Sequence, residues 1–194
     1  MRRINQLLLI LVSATLFAFT SYQQIRAINT PVTVVEPMPI IRIKVKPIKA
    51  KILEVKKDHN AFLEAIGYKE SRNRYDVVNK YGYMGRYQFG KSTLKTIKIK
   101  VSREEFLNSP EIQEEAMRRL LLYNKKKLQK YIDKYNGKIV RGILVTESGI
   151  LAAAHLGGAG SVKKWFRTGK VRKDGNGVKI TSYMTRFGGY NLNI

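Results

Sequence analysis

The chain has 194 residues, 44% hydrophobic and 26% charged, enough apolar material for one packed domain with extensions. Its 37 Lys and Arg against 14 Asp and Glu give a formal net charge of +23, so the expected partner is a polyanion: nucleic acid, anionic lipid or an acidic cell-wall polymer. Absence of cysteine excludes disulfides and thiolate sites, and two histidines, His59 and His155, are too few for a histidine-based metal site. No metal and no cofactor is expected, and the chemistry must rest on oxygen and nitrogen groups.

At the N-terminus Arg2 and Arg3 precede the apolar run Leu7 to Phe19, which is short for a spanning helix and right for a signal-peptide core. Residues 1–27 therefore read as a signal peptide or an uncleaved N-terminal anchor. Export to the periplasm or cell envelope follows, with membrane association through this segment where it is retained. Residues 28–57 hold Pro31, Pro37, Pro39 and Pro47 and the alternating stretch Ile40 to Val45. Proline removes backbone donors, so this part reads as an extended basic tether with one edge strand. The folded domain is expected over 58–194.

From Asp58 onward the punctuation is helical. Asp58 can cap a helix whose apolar stripe runs Phe62, Ile66 and on to Glu70. Ser102 with Glu105 forms a capping box, and Ser109-Pro110-Glu111 opens a long helix with Ile112, Ala116, Leu120, Leu121 and Leu128 inward, ending near Asn136-Gly137. Thr146 to Leu156 reads as a short apolar helix closed by Gly157-Gly158, and Ser161 to Thr168 as another closed by Gly169. The fold class expected is mainly α.

Two carboxylates share the first helix. Glu64 falls on a face without apolar companions and reads as a solvated charge. Glu70 instead extends the core stripe and lies near the helix C-terminus, and both burial and unpaired carbonyls disfavour its anion. Arg72 and Arg74 would oppose this if they turned toward it, so simple pairing with an arginine is the competing reading. Beyond Glu70, Gly82, Gly85 and Gly90 punctuate a loop carrying Tyr81, Tyr83, Met84, Tyr87, Gln88 and Phe89. Flexible backbone, aromatic plates and an amide suit a sugar, whose apolar faces pack on rings while its hydroxyls need oriented donors. Core packing of the same rings is the simpler alternative.

These residues carry a resemblance. Glu70-Ser71 followed by Gly82, Gly85 and Gln88 resembles the Glu-Ser and Gly-Leu-Met-Gln motifs of the soluble lytic transglycosylases. Ala152 to Gly160 (AAAHLGGAG) is similar to that family's Ala-Tyr-Asn-Ala-Gly segment, and Tyr183 in SYM falls where its final tyrosine is expected. The resemblance covers Asp58 to the C-terminus. It departs at Arg86-Tyr87, where the family has Leu-Met, and at His155-Leu156, where it has Tyr-Asn, so the subsites for acetamido groups would be differently built. What it implies is a lysozyme-like fold and cleavage of peptidoglycan glycan strands. Glu70 would be the single general acid and base, and Ser71, Met84, Gly85, Tyr87, Gln88, His155, Leu156, Gly157 and Tyr183 would face the substrate. The implied reaction cleaves the β-1,4 bond between N-acetylmuramic acid and N-acetylglucosamine and closes a 1,6-anhydro ring.

Three other readings stay open. A muramidase would need a second carboxylate to position water, and Asp76 is the candidate. Glu147 reads as a helix N-terminal carboxylate, and Asp174 to Gly177 as a turn with too few oxygen ligands for calcium. A non-catalytic wall-binding or assembly protein could retain the same groove. A nucleic-acid partner fits the charge but not the export signal, and no nucleic-acid motif is present.

Overall fold

The computed structural model describes residues 56–194; the apolar run Leu7 to Phe19, the four tether prolines and the expected strand Ile40 to Val45 lie outside them. Lys57, read as the end of the tether, accepts a hydrogen bond from Asn191 N through its carbonyl (2.7 Å) and lays its ammonium over the Tyr190 ring. The described chain is mainly helical.

Helix α1 (His59–Ser71) starts as its cap predicts, with Asp58 accepting from Ala61 N at 2.9 Å. Phe62 and Ile66 are fully buried. The helix stops at Arg72, whose left-handed backbone (φ 60°) lets its N–H reach the Tyr68 carbonyl. After it the chain turns into a tight hairpin in which Met84 and Phe89 exchange backbone hydrogen bonds of 3.0 and 2.8 Å around Gly85 to Gln88. Helices α2 (Lys91–Thr96) and α3 (Arg103–Asn108) follow, the latter capped by the Ser102 hydroxyl, which accepts from Glu105 N at 3.0 Å.

Helix α4 (Pro110–Tyr135) buries Ala116, Leu120, Leu121 and Leu128, while Ile112 is partly covered. Strands β1 (Ile139–Val140) and β2 (Ile143–Leu144) form a small antiparallel hairpin. Helix α5 (Glu147–Thr168) is two helices joined at Gly158, where φ 79° and ψ 154° break the helical path. Its first half is the centre of the core: Ile150, Leu151, Ala152, Ala153 and Ala154 are consecutively buried, so neighbours surround it on all sides. Helix α6 (Ile180–Arg186) packs on α5 at very close range, since a Cβ on Gly149 would overlap the Met184 carbonyl. Among the described residues no helix is long and apolar enough to cross a membrane.

Gln113 of α4, fully buried, ties the Gly85 hairpin to the helical layer. Its Oε1 accepts from Arg86 N (2.8 Å), and its Nε2 donates to the carbonyls of Tyr75 (3.0 Å) and Phe106 (2.7 Å). Arg86 adds a charged clamp, donating to Glu114 and Tyr75 at 2.9 Å each and to Asn73 at 3.1 Å, and pairing with Glu64. Glu64 is exposed as expected, yet it is not simply solvated: it accepts from Arg86 and Asn73.

Candidate active site

Three elements converge on Glu70. The end of α1 supplies the carboxylate, whose side chain is 15% exposed; α6 supplies Tyr183, whose hydroxyl donates to Glu70 Oε1 at 2.7 Å. The first half of α5 supplies His155, with Nε2 at 3.5 Å from the same oxygen. Oε1 is thus held twice, whereas Oε2 has no partner among the described residues. Neither nearby arginine competes: Arg74 pairs with Asp76 at 3.1 Å, and Arg72 lies over the Tyr68 ring.

The electrostatics of this carboxyl are a contest. Burial pushes it up; the imidazole of His155 beside it, the Tyr183 hydrogen bond and the Lys69 charge together outweigh burial and hold it below its ordinary value. The sequence left the sign of this shift open between burial and arginine pairing; it is downward, and the groups responsible are His155, Tyr183 and Lys69 and neither arginine. The other ring nitrogen of His155, Nδ1, is buried and has no hydrogen-bond partner among the described residues. Burial and the adjoining Glu70 raise the Tyr183 phenol above its usual range, so it stays a donor.

Glu70 lines a cleft of about 750 Å³, within the size range of ligand sites. Part of the lining comes from residues 79–96: the rings of Tyr81, Tyr83 and Phe89, the amides of Asn79 and Gln88, and the hydroxyls of Ser92, Thr93 and Thr96. None of these is charged. The rest comes from α4, α5 and the loop after α5, including Tyr123, Asn124, Lys127, His155 to Gly160, Lys163, Arg172 and Asp174. The two sets meet where the Tyr81 hydroxyl donates to the Gly175 carbonyl at 3.2 Å and where the Phe89 ring packs edge-on against His155.

Of the residues singled out by sequence, Gln88, His155, Leu156 and Gly157 line the cleft with Glu70, and Tyr183 meets Glu70 directly. Ser71, Met84, Gly85 and Tyr87 are not cleft-lining residues. Met84 and Tyr87 are buried in the core, the Tyr87 hydroxyl donates to Glu114 (2.7 Å), and Gly85 packs against Gln113. The Ser71 hydroxyl donates to the Arg86 carbonyl at 2.9 Å, fixing the hairpin to α1. These four therefore support the site from within: the tight Met84–Phe89 hairpin turns Met84, Gly85 and Tyr87 into the core and against α4, and Ser71 ties the end of α1 to it.

Asp76 is 69% exposed, bound to Arg74 and absent from the cleft lining, so it cannot position water there. Asp174 does line the cleft, with Oδ1 accepting from Asn176 N (2.9 Å) and Val178 N (2.7 Å) in the expected turn. Glu147 pairs with Lys125 at 2.9 Å, and the helix cap beside it is Thr146. Among the described residues no group of His, Asp and Glu converges to hold a metal ion. Sequence reasoning passed over Asn124, although an amide between Leu120 and Leu128 in an otherwise apolar stripe was a readable signal. No family model, curated protein or solved structure matches this chain.

Proposed function

We propose that the chain is an exported, lysozyme-like lytic transglycosylase that cleaves peptidoglycan glycan strands. The observation carrying this reading is the carboxylate of Glu70, partly covered, contacted at Oε1 by Tyr183 and His155 and without a partner at Oε2 among the described residues, within a cleft also lined by the rings of Tyr81, Tyr83 and Phe89. The ordered likeness of Glu70-Ser71, Gly85 to Gln88, Ala152 to Gly160 and Tyr183 to the family's motifs supports it independently.

In the free cleft the balance favours the carboxylate. A glycan that displaces water from Oε2 strengthens burial, the largest single influence and the one favouring the acid. Protonated Glu70 then gives its proton to the glycosidic oxygen as the muramyl C1–O4 bond breaks. The substrate's own acetamido group shares the positive charge that develops at C1. The resulting glutamate takes the proton of the muramyl C6 hydroxyl as O6 bonds to C1, which closes the 1,6-anhydro ring and restores the acid. No water is consumed. Tyr183 fixes the carboxyl plane through both halves, and the rings of Tyr81 and Tyr83 offer packing surfaces for sugar faces.

A hydrolase is the second reading, and Asp174 on the cleft wall is the observation favouring it, in place of Asp76. Digestion of isolated sacculi by the full chain in water enriched in heavy oxygen separates the two. The expected products end in anhydromuramic acid and carry no label. Labelled reducing ends would replace the transglycosylase by a hydrolase, and intact sacculi would reduce the protein to a wall-binding module.

A further inference from the structure

The two sets of lining residues differ in charge, and the reaction proposed above does not use that difference. Lys127, Lys163 and Arg172 belong to the set from α4, α5 and the following loop, and none of the three has a salt-bridge partner among the described residues. The same set holds one carboxylate, Asp174, whose Oδ1 already accepts from the N–H groups of Asn176 and Val178. The three cations come from three separate elements: α4, the second half of α5, and the loop that follows it. The break at Gly158 adds to them, because a new helix starts inside the cleft and its first residues, Ala159 and Gly160, are lining residues. A helix start presents unpaired N–H groups and favours an anion.

A buried donor in the same set points to a ligand in its own right. Asn124 lines the cleft, is only 2% exposed, and its Nδ2 has no acceptor among the described residues. A buried amide nitrogen without an acceptor destabilises the fold, and it lies one helical turn from Lys127. A carbonyl or carboxylate oxygen brought in by a ligand would satisfy it.

We propose that Asn124, Lys127, Lys163 and Arg172 form a subsite for the carboxylate-bearing peptide carried by the muramyl residues, so that peptide-substituted glycan is the preferred substrate over bare glycan. The inference rests on the glycan-cleaving reading of Glu70. Sugar rings would pack on Tyr81 and Tyr83, and the peptide would project toward Lys127, Lys163 and Arg172, with Asn124 donating to one of its oxygens.

The test uses the full chain carrying Glu70→Gln, which binds without turning over, and calorimetric titration at low salt. Two probes are compared: a muramyl tetrasaccharide with its peptides, and the same molecule with every carboxylate converted to an amide. The free-acid probe should bind about tenfold more tightly, the sum expected of a few partly exposed charge pairs. Adding Lys127→Gln, Lys163→Gln and Arg172→Gln should reduce that ratio to less than about twofold. Asn124→Leu should weaken the free-acid probe while leaving the thermal midpoint equal or higher, an outcome that a merely structural asparagine would not give.

Equal binding of the two probes overturns the subsite and leaves the proposed activity standing. Failure of both to bind overturns the subsite together with the activity. Tighter binding of a glycerol phosphate oligomer than of the free-acid probe overturns it in favour of a phosphate polymer.

Discussion

At the scale of single residues, Glu70 has to be an acid in one half of the reaction and a base in the other, and its neighbours set how easily it does each. Replacing it by Gln removes both roles while preserving shape and the Tyr183 contact. Turnover should fall by roughly 10²–10⁴-fold, the usual loss on removal of a general acid, with the thermal midpoint little changed; near-normal anhydro product from the variant would remove Glu70 from the mechanism. His155 controls the proton. It is the main influence holding the Glu70 carboxyl below its ordinary value against burial, and kcat/KM needs the protonated acid, so rate declines as pH rises through the free-enzyme value. In His155→Leu the burial effect is no longer opposed by the imidazole, and the alkaline limb of the pH profile should move to higher pH. A limb that stays put would show that Tyr183 alone tunes the acid. Stability carries the same sign information. With its folded value below the unfolded one, Glu70 contributes stability above the unfolded value, and loses it as pH falls through the folded value; His155→Leu should flatten that acid-side loss in equilibrium unfolding.

At the scale of elements, what the sequence made legible were those helices whose ends are fixed by local chemistry. Asp58, the Ser102–Glu105 pair and Pro110 mark their helix starts through side-chain or ring geometry that acts within one turn. The break at Gly158 was equally local. Helices α2 and α6 were not legible, because each is under two turns or about that long, has no side-chain cap, and is held by burial of Leu94 in one and of Ile180, Tyr183 and Met184 in the other. Helices so short are stabilised by tertiary packing rather than propensity. The β1–β2 hairpin, two residues a strand, gave no periodic signal. The site divided the same way. Glu70 stood out on its stripe, but the side to which Gly85 to Gln88 turn depends on Gln113, some way along the chain in α4. Gly85→Ala tests that dependence. Its φ of 73° disfavours any side chain, and its Cβ would overlap the buried Gln113 amide, so the variant should lose roughly 2–4 kcal/mol from backbone strain and overpacking together. Chemical denaturation measures it, and a loss under about 0.5 kcal/mol would mean that Gln113 can move aside without cost.

At the scale of the whole molecule, the +23 charge and the cleft act over different distances. A net charge of that size attracts a polyanionic wall from afar without selecting any bond in it. The cleft selects by contact, through the rings, cations and carboxylate that line it. Salt separates the two, since raising it from about 0.1 M to about 1 M shortens the screening length from roughly 10 Å to roughly 3 Å. Contacts at hydrogen-bond distance, such as that of Tyr183 with Glu70 at 2.7 Å, lie inside even the shorter length and persist. Long-range attraction does not. Over that salt range, sedimentation of the full chain with sacculi should weaken at least about tenfold. Cleavage of a short muramyl fragment whose carboxylates are amidated should change by less than about twofold, because neither its encounter nor its fit relies on surface charge. Salt-insensitive sedimentation would show that wall binding is carried by the cleft alone and that the surface charge serves another partner. A parallel collapse of fragment cleavage would show instead that salt acts on Glu70 and its neighbours, which would place the charge inside the catalytic step rather than ahead of it.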